Sequence, residues 1–173
     1  MHGIVSLLDA QSTRLVESIW VELENEFGLS NQYVPRIAHF SYQIAEDYDI
    51  KRLGAVLERF AQTQRPFHVK TTGLGVFTGS SPVLYIPVVR THLHMVLWTA
   101  VEGAGTGVSA HYKPNSWMPH ITLAQGDLDA DNLPRVIRRL SSRDFAWDIV
   151  VNNVALIIYQ TGGEHRLKFW FGF

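Results

Sequence analysis

The sequence predicts an α+β protein whose halves share one order: strand, helix, motif strand, helix, strand. Three observations carry that expectation. Two short strings, Ala38-His39-Phe40-Ser41-Tyr42 and Pro119-His120-Ile121-Thr122-Leu123, each set a histidine, an apolar residue and a hydroxyl residue in a row. The two histidines lie 81 residues apart, close to half of the 173-residue chain. Sliding the sequence along itself by 81 then superposes apolar patterns of matching period over nearly the whole length, although few residues are identical. The chain 1–173 reads as a single bilobal domain, with halves of about 1–81 and 82–162, a closing strand over 163–173 and the two lobes intertwined.

The elements follow in order. The apolar run Ile4 to Leu8 reads as a strand and lands on Tyr85 to Val89. Gln11 to Phe27 carries Leu15, Ile19, Trp20 and Leu23 at helical spacing, and its counterpart His92 to Val108 carries Leu93, Val96, Leu97, Ala100 and Val101. Asp9 precedes the first helix as an N-cap or first-turn residue, and Asp129 is placed likewise before a later one. Asn31 and Pro35 end the first loop before the motif strand. Ile50 to Phe60, with Leu53, Val56, Leu57 and Phe60, lands on Asp131 to Ser141, where Leu133, Val136, Ile137 and Leu140 keep the helical period. Pro134 fits a first helical turn, where its missing N–H breaks no bond. Arg65-Pro66 starts a strand, Gly73 to Phe77 lands on Val154 to Ile158, and Gly79-Ser80-Ser81-Pro82 makes a hairpin-like turn. Strands after Phe145 and after Glu164, the latter His165 to Phe173, finish the chain.

Composition narrows the function. Fifteen Lys+Arg against 16 Asp+Glu leave a net charge of −1, which argues against a protein that coats long nucleic acid, because that task takes a basic stripe. A short nucleotide or an RNA end remains within reach of a neutral protein. The absence of cysteine excludes disulfides, thiolate metal sites and a cysteine nucleophile. The opening residues show no basic region and no cleavage-like pattern, and no apolar stretch approaches the ~20 residues of a membrane span. A cytoplasmic monomer is the expectation.

The two strings carry the chemistry. Side chains i and i+2 of a strand share a face. His39 and Ser41 therefore share one face, with Phe40, Tyr42 and Ile44 on the other; His120 and Thr122 share a face, with Ile121 and Leu123 opposite. The apolar faces should pack beneath helices, which leaves the polar faces to line a cleft. A pseudo-two-fold relation between the halves would bring both His/hydroxyl pairs together across it. Two imidazoles with ordinary pKa values near ~6.5 suit acid–base cleavage of a phosphodiester: a neutral ring takes a proton and a charged ring delivers one. Ser41 and Thr122 would donate to non-bridging phosphate oxygens, where charge builds up. The arrangement requires no metal and no cofactor.

With these residues, the chain resembles the two-histidine phosphoesterase superfamily, and within it the 2′-5′ RNA ligase/cyclic phosphodiesterase group. The likeness rests on His39-Phe40-Ser41 and His120-Ile121-Thr122, and on the phrases Trp117 to Ala124, Gly73 to Phe77 and Val83 to Ile86. It covers nearly the whole chain. It implies two α+β lobes with mainly antiparallel sheets lining a central cleft and helices on the outer faces. It also implies metal-independent opening of 2′,3′-cyclic phosphates, or the reverse 2′-5′ ligation. By that likeness His39 and His120 are the acid–base pair, and Ser41 and Thr122 bind phosphate. The first motif departs from the family in having Ser where Thr is usual, which keeps the donor and loses only a rotamer-stiffening methyl. The substrates implied are RNA ends or small cyclic nucleotide phosphates. Two other readings stand beside this one: a non-catalytic RNA-binding or regulatory protein of the same fold, and a hydrolase of another cyclic nucleotide phosphate.

Several other residues are candidates of a weaker kind. Tyr112, Lys113 and Trp117 are candidate substrate contacts, with a packing role as the plainer reading of the aromatics. His68, Lys70 and Thr72 share a strand face, most simply a solvated one. His92-Leu93-His94 resembles a metal pair, but residues two apart on a helix do not face each other. Arg135, Arg138, Arg139 and Arg143 make one helix side positive, either a solvated face or a contact for an RNA tail. Gly103, Gly105 and Gly107 follow a helix and match no phosphate loop.

Overall fold

In the computed structural model, which describes residues 1–30, 36–159 and 165–173, the chain begins β1 (His2–Leu7), α1 (Ala10–Phe27), β2 (His39–Ala45), β3 (Asp47–Tyr48) and α2 (Ile50–Thr63). It continues β4 (Phe67–Lys70), β5 (Gly75–Phe77), β6 (Val83–Pro87), α3 (His92–Ala100), β7 (Gly105–Thr106) and a 3-10 turn at Ala110–Tyr112. The last elements are β8 (His120–Gln125), α4 (Leu133–Leu140), β9 (Asp148–Val151), β10 (Asn153–Tyr159) and β11 (His165–Gly172). This is the α+β class that the sequence predicts. The loop end at Asn31 and Pro35 and the start of the closing strand at 163–164 lie outside the described residues.

Strand order shows how the halves interlock. One antiparallel sheet runs β11-β10-β1-β2 and another β5-β6-β8. Elements 81 positions apart occupy matching places, so β10-β1-β2 corresponds to β5-β6-β8. The order therefore crosses over: β5 completes the sheet of β6 and β8, while β10 completes that of β1 and β2. β4 and β9, themselves 81 apart, pair antiparallel with each other, Phe67 opposite Val151. The helices cross as well, since α1 packs on β8 and α3 on β2.

Local chemistry fixes the element ends. Asp9 caps α1 by accepting from Ser12 N at 2.8 Å, and its other oxygen accepts from Val150 N at 2.9 Å, which ties that helix to β9. Gly28, at φ 70°, takes the left-handed turn that ends α1. The buried face of α1 is Ser12, Val16, Ile19, Trp20 and Leu23, while Leu15, which the spacing assigns to that stripe, is exposed. α3 stops at Ala100 rather than Val108, because Gly103 turns the chain at φ 73° and Gly105–Thr106 then pairs with Asp47–Tyr48. α4 is capped at Asn132; Asp129 instead accepts from the N–H groups of Asp131 and Asn132 in the turn before it. One large core runs through both sheets and includes Ile4, Trp20, Phe40, Tyr42, Leu84, Ile86, Leu97, Ile121 and Leu123.

Candidate active site

The two motif strands, β2 and β8, are edge strands of their sheets and run beside each other. Each carries a β-bulge at the same place. Ser41 pairs with Val5 and Gln43 with Ile4, which leaves Tyr42 as the extra residue. Thr122 pairs with Tyr85 and Ala124 with Leu84, which leaves Leu123 extra. In both strands the extra residue follows the hydroxyl residue of the motif. A bulge bends its strand and re-aims the side chains around it. Here it lets the next residue, Gln43 or Ala124, fall on the core side together with Tyr42 or Leu123. The simple alternation fails beyond that point: Ile44 does not join Phe40 and Tyr42 in the core.

The histidines are held alike. Nδ1 of His39 lies 2.6 Å from the Ile37 carbonyl, and Nδ1 of His120 lies 2.7 Å from the Met118 carbonyl. A carbonyl only accepts, so in each ring Nδ1 carries the hydrogen and Nε2 is the atom left for proton transfer. Burial pushes His39 down to about 4, with the Ile37 bond opposing and the charges of His120 and His165 adding to the fall. Burial also lowers His120, opposed by its bond to Met118. β2 and β8 lie side by side, and the charge of His120 is among those that lower His39.

The hydroxyl residues are anchored through their backbones. Trp117 Nε1 donates to the Ser41 carbonyl at 2.9 Å, and Trp20 Nε1 donates to the Thr122 carbonyl at 3.3 Å. Each motif therefore hangs from a tryptophan that the other half of the sequence supplies. Ser41 is 7% exposed, and its hydroxyl meets the phenols of Tyr112 and Tyr159. Burial raises both phenols, Tyr159 to about 12. Thr122 is half-buried opposite Tyr85.

A cavity of about 640 Å³ opens beside His120, lined by Phe77, Tyr112, Ser116, Met118 and Gln125 among others. The rings of Phe77 and Tyr85 stand 5.0 and 5.1 Å from the His120 ring. Tyr112 lines this cavity and touches Ser41, so one side chain joins the surroundings of both motifs.

Of the candidate substrate contacts, the structure brings Tyr112 to the site. Lys113 is exposed and outside the cavity lining. Trp117 is 4% exposed and packs on Tyr42 and His94, so its ring is not available to stack on a base; it holds Ser41 instead. His68, Lys70 and Thr72 are exposed, with His68 paired to Asp148 at 2.6 Å. Arg139 pairs with Glu22 and Glu26 of α1, Arg143 with Glu22, and Arg135 lies over the Phe27 ring, so three of the four arginines are committed to α1. His92 is exposed while His94 is buried, its Nδ1 accepting from Thr91 N at 2.8 Å. Among the described residues no three acidic or histidine side chains group where they could hold a metal, and no helix is long and apolar enough to cross a membrane. Spacing alone did not point to Tyr159, Tyr85, Phe77 or His165. An aromatic in a strand reads first as a β-forming residue.

Paired histidine–hydroxyl strands on two interlocked antiparallel sheets define a two-histidine phosphoesterase architecture. The model of the 2′-5′ RNA ligase superfamily matches residues 9–163, and the chain belongs to that superfamily. Among solved structures, TT0787 of Thermus thermophilus is similar at a TM-score of 0.65 and 18% identity, covering 99% of this chain and 96% of that one. Usb1 of Kluyveromyces marxianus is similar at a TM-score of 0.46 and 12% identity, covering 99% of this chain and 97% of that one. No curated protein sequence matches significantly.

Proposed function

We propose that this protein opens 2′,3′-cyclic phosphates on RNA ends or nucleotides, with His39 and His120 as the acid–base pair. One neutral imidazole takes a proton from water at Nε2 as the water oxygen bonds to phosphorus. The P–O bond to a ribose oxygen breaks, and the other ring, protonated at Nε2, gives that oxygen its proton. Ser41 and Thr122 donate to the non-bridging oxygens. With a 5′-hydroxyl in place of water as the nucleophile and the 3′ oxygen as the leaving group that takes the proton, the same pair of transfers gives 2′-5′ ligation. The observation that carries this reading is the matched tethering of the two rings, each with Nδ1 on a carbonyl two residues back and Nε2 left for chemistry. The same reading treats the chain as one bilobal unit that acts as a monomer on RNA ends or small cyclic nucleotide phosphates.

The test is turnover of nucleoside 2′,3′-cyclic phosphates in EDTA across a range of pH. A bell-shaped profile is expected, and His39→Ala or His120→Ala should remove nearly all activity. Single variants that turn over like wild type would sink the catalytic assignment. RNA binding without turnover on any cyclic phosphate or 2′-5′ linked oligonucleotide would favour a binding protein of this fold.

A further inference from the structure

Tyr159 ends β10, and β1 lies between that strand and β2. Its phenol nevertheless reaches the first motif, with Oη 3.4 Å from Nε2 of His39 and in contact with the Ser41 hydroxyl. It passes over β1 at Gly3, and residue 3 allows this only as glycine. A Cβ there would stand 2.7 Å from Oη and 2.8 Å from a ring carbon of Tyr159. Nδ1 of His39 is already the donor to Ile37, so the Nε2 of the neutral ring offers only a lone pair and the phenol must be the donor.

The other lobe also sets a phenol beside its histidine, but from β6, the strand next to the motif strand, and with a different partner. Tyr85 lies over Gly75, where a Cβ would stand 2.5 Å from its ring, and it flanks His120. Its hydroxyl goes to Met118 Sδ at 3.3 Å. Among the described residues, no hydroxyl bonds Nε2 of His120. The two imidazoles therefore differ at the one atom that transfers protons.

We infer that Tyr159 is a catalytic residue of the phosphoester site, whose hydroxyl donates to Nε2 of His39 and turns to a non-bridging phosphate oxygen beside Ser41 when a substrate oxygen takes its place at the imidazole. The inference rests on the function proposed above. No bond is made or broken by Tyr159 itself; one hydrogen bond is exchanged for another, and the proton transferred in the reaction still moves between His39 and substrate or water. Beside Ser41 the move gives the phosphate a second fixed donor, where burial makes hydrogen bonds to developing charge strong. Among the described residues, the charged and titratable groups that face His39 are Tyr159 from β10, His120 from β8 and His165 from β11. His165 meets Tyr159 edge-on, with ring centroids 5.5 Å apart, and among the described residues neither of its ring nitrogens has a hydrogen-bond partner. That geometry steadies the phenol ring without claiming its hydroxyl.

Tyr159→Phe keeps the ring over Gly3 and deletes only the hydroxyl. The expected result is a fall in kcat of about 10²-fold, the scale seen when one such donor is lost, with KM changed far less. The NMR titration midpoint of His39 should move upward, because a donor that favours the neutral ring is gone. The limb of the pH–rate profile that belongs to His39 should move in the same direction. Gly3→Ala crowds the phenol off while keeping its hydroxyl, and should shift the same limb. Wild-type kcat together with an unmoved His39 midpoint in Tyr159→Phe would overturn the inference. A wild-type protein inert on cyclic phosphates would sink the proposed function separately. The inference would then be decided by inorganic phosphate: it stands if Tyr159→Phe binds phosphate more weakly and shifts His39, and falls if both are unchanged.

Discussion

His94→Gln should flatten the dependence of stability on pH. His94 occupies the third position of α3, fully buried, and Nδ1 accepts from Thr91 N at 2.8 Å. Nε2 then carries the hydrogen and has no hydrogen-bond partner among the described residues, with the rings of Phe40, Tyr42, Trp117 and Phe67 centred 5.4 to 6.2 Å away. Protonation would break the Thr91 bond and bury a charge among aromatics. Burial accordingly pushes this histidine from 6.5 down to about 4, and the charge of Arg90 adds to the fall. Above pH 6.5 neither folded nor unfolded chain protonates this residue, so its contribution does not vary. Below 6.5 the unfolded chain takes up a proton that the folded chain refuses until about pH 4, so stability falls through that window and then levels.

At about 1.4 kcal/mol per pH unit, that window amounts to roughly 3 kcal/mol, a large share of an ordinary domain's 5–15 kcal/mol. Glutamine at this helix position can accept the same backbone N–H, so the cap survives while the titration disappears. The assay is urea unfolding of both proteins at pH 7.5 and pH 4.5. Wild type should lose about 2–3 kcal/mol more than the variant between the two conditions. His39 titrates in the same direction, but it is present in both proteins and cancels in the comparison. Parallel losses would refute the reasoning, because they would mean that folded His94 takes up its proton as readily as the unfolded residue does.

Two further substitutions probe the framework around the motifs. Trp117→Phe removes the donor to the Ser41 carbonyl and part of a buried ring. A loss of about 2–4 kcal/mol is expected, read as a melting temperature lower by roughly 5–12 °C; calorimetry showing no change would mean that Ser41 is held by its strand pairing alone. Gly75→Ala puts a methyl 2.5 Å from the Tyr85 ring, a backbone-mounted clash that Tyr85 relieves only by leaving His120. Denaturant titration should show a cost of about 1–3 kcal/mol, and cyclic phosphate turnover should fall with it; full activity at wild-type stability would contradict the packing described.

Much of the fold was legible because periodicity and offset are properties of the chain itself. An apolar period shows which stretches form helices, and a repeat at 81 shows which strands take matching places in two sheets. The hidden parts depend on contacts that no period records. Leu15 satisfies the helical spacing of α1, yet the buried side is set by how α1 lies on β8 and falls one step round, on Ser12 and Val16. The extra residues Tyr42 and Leu123 look like ordinary members of an alternating strand until the register against β1 and β6 is known. Trp117, beside a motif in a loop, has the outward marks of a stacking residue, and only the position of the Ser41 carbonyl shows where its N–H is used. His94 reads as half of a metal pair until the Thr91 N–H claims Nδ1.

The site shows a symmetric frame with unequal contents. Strand order, bulges, ring tethers and tryptophan anchors all match between the halves, so they position both histidines without distinguishing them. A reaction that removes a proton at one oxygen and delivers one at another needs the two imidazoles to differ. The differences trace to residues that break the repeat. β11 extends the first sheet to four strands where the second has three, and it brings His165 against Tyr159. Tyr159 then reaches His39 across Gly3, while the phenol beside His120 is spent on Met118. The 640 Å³ cavity lies on the His120 side. The duplicated strands thus fix where the two histidines are held, and the unrepeated strand with its neighbours determines what each histidine meets there.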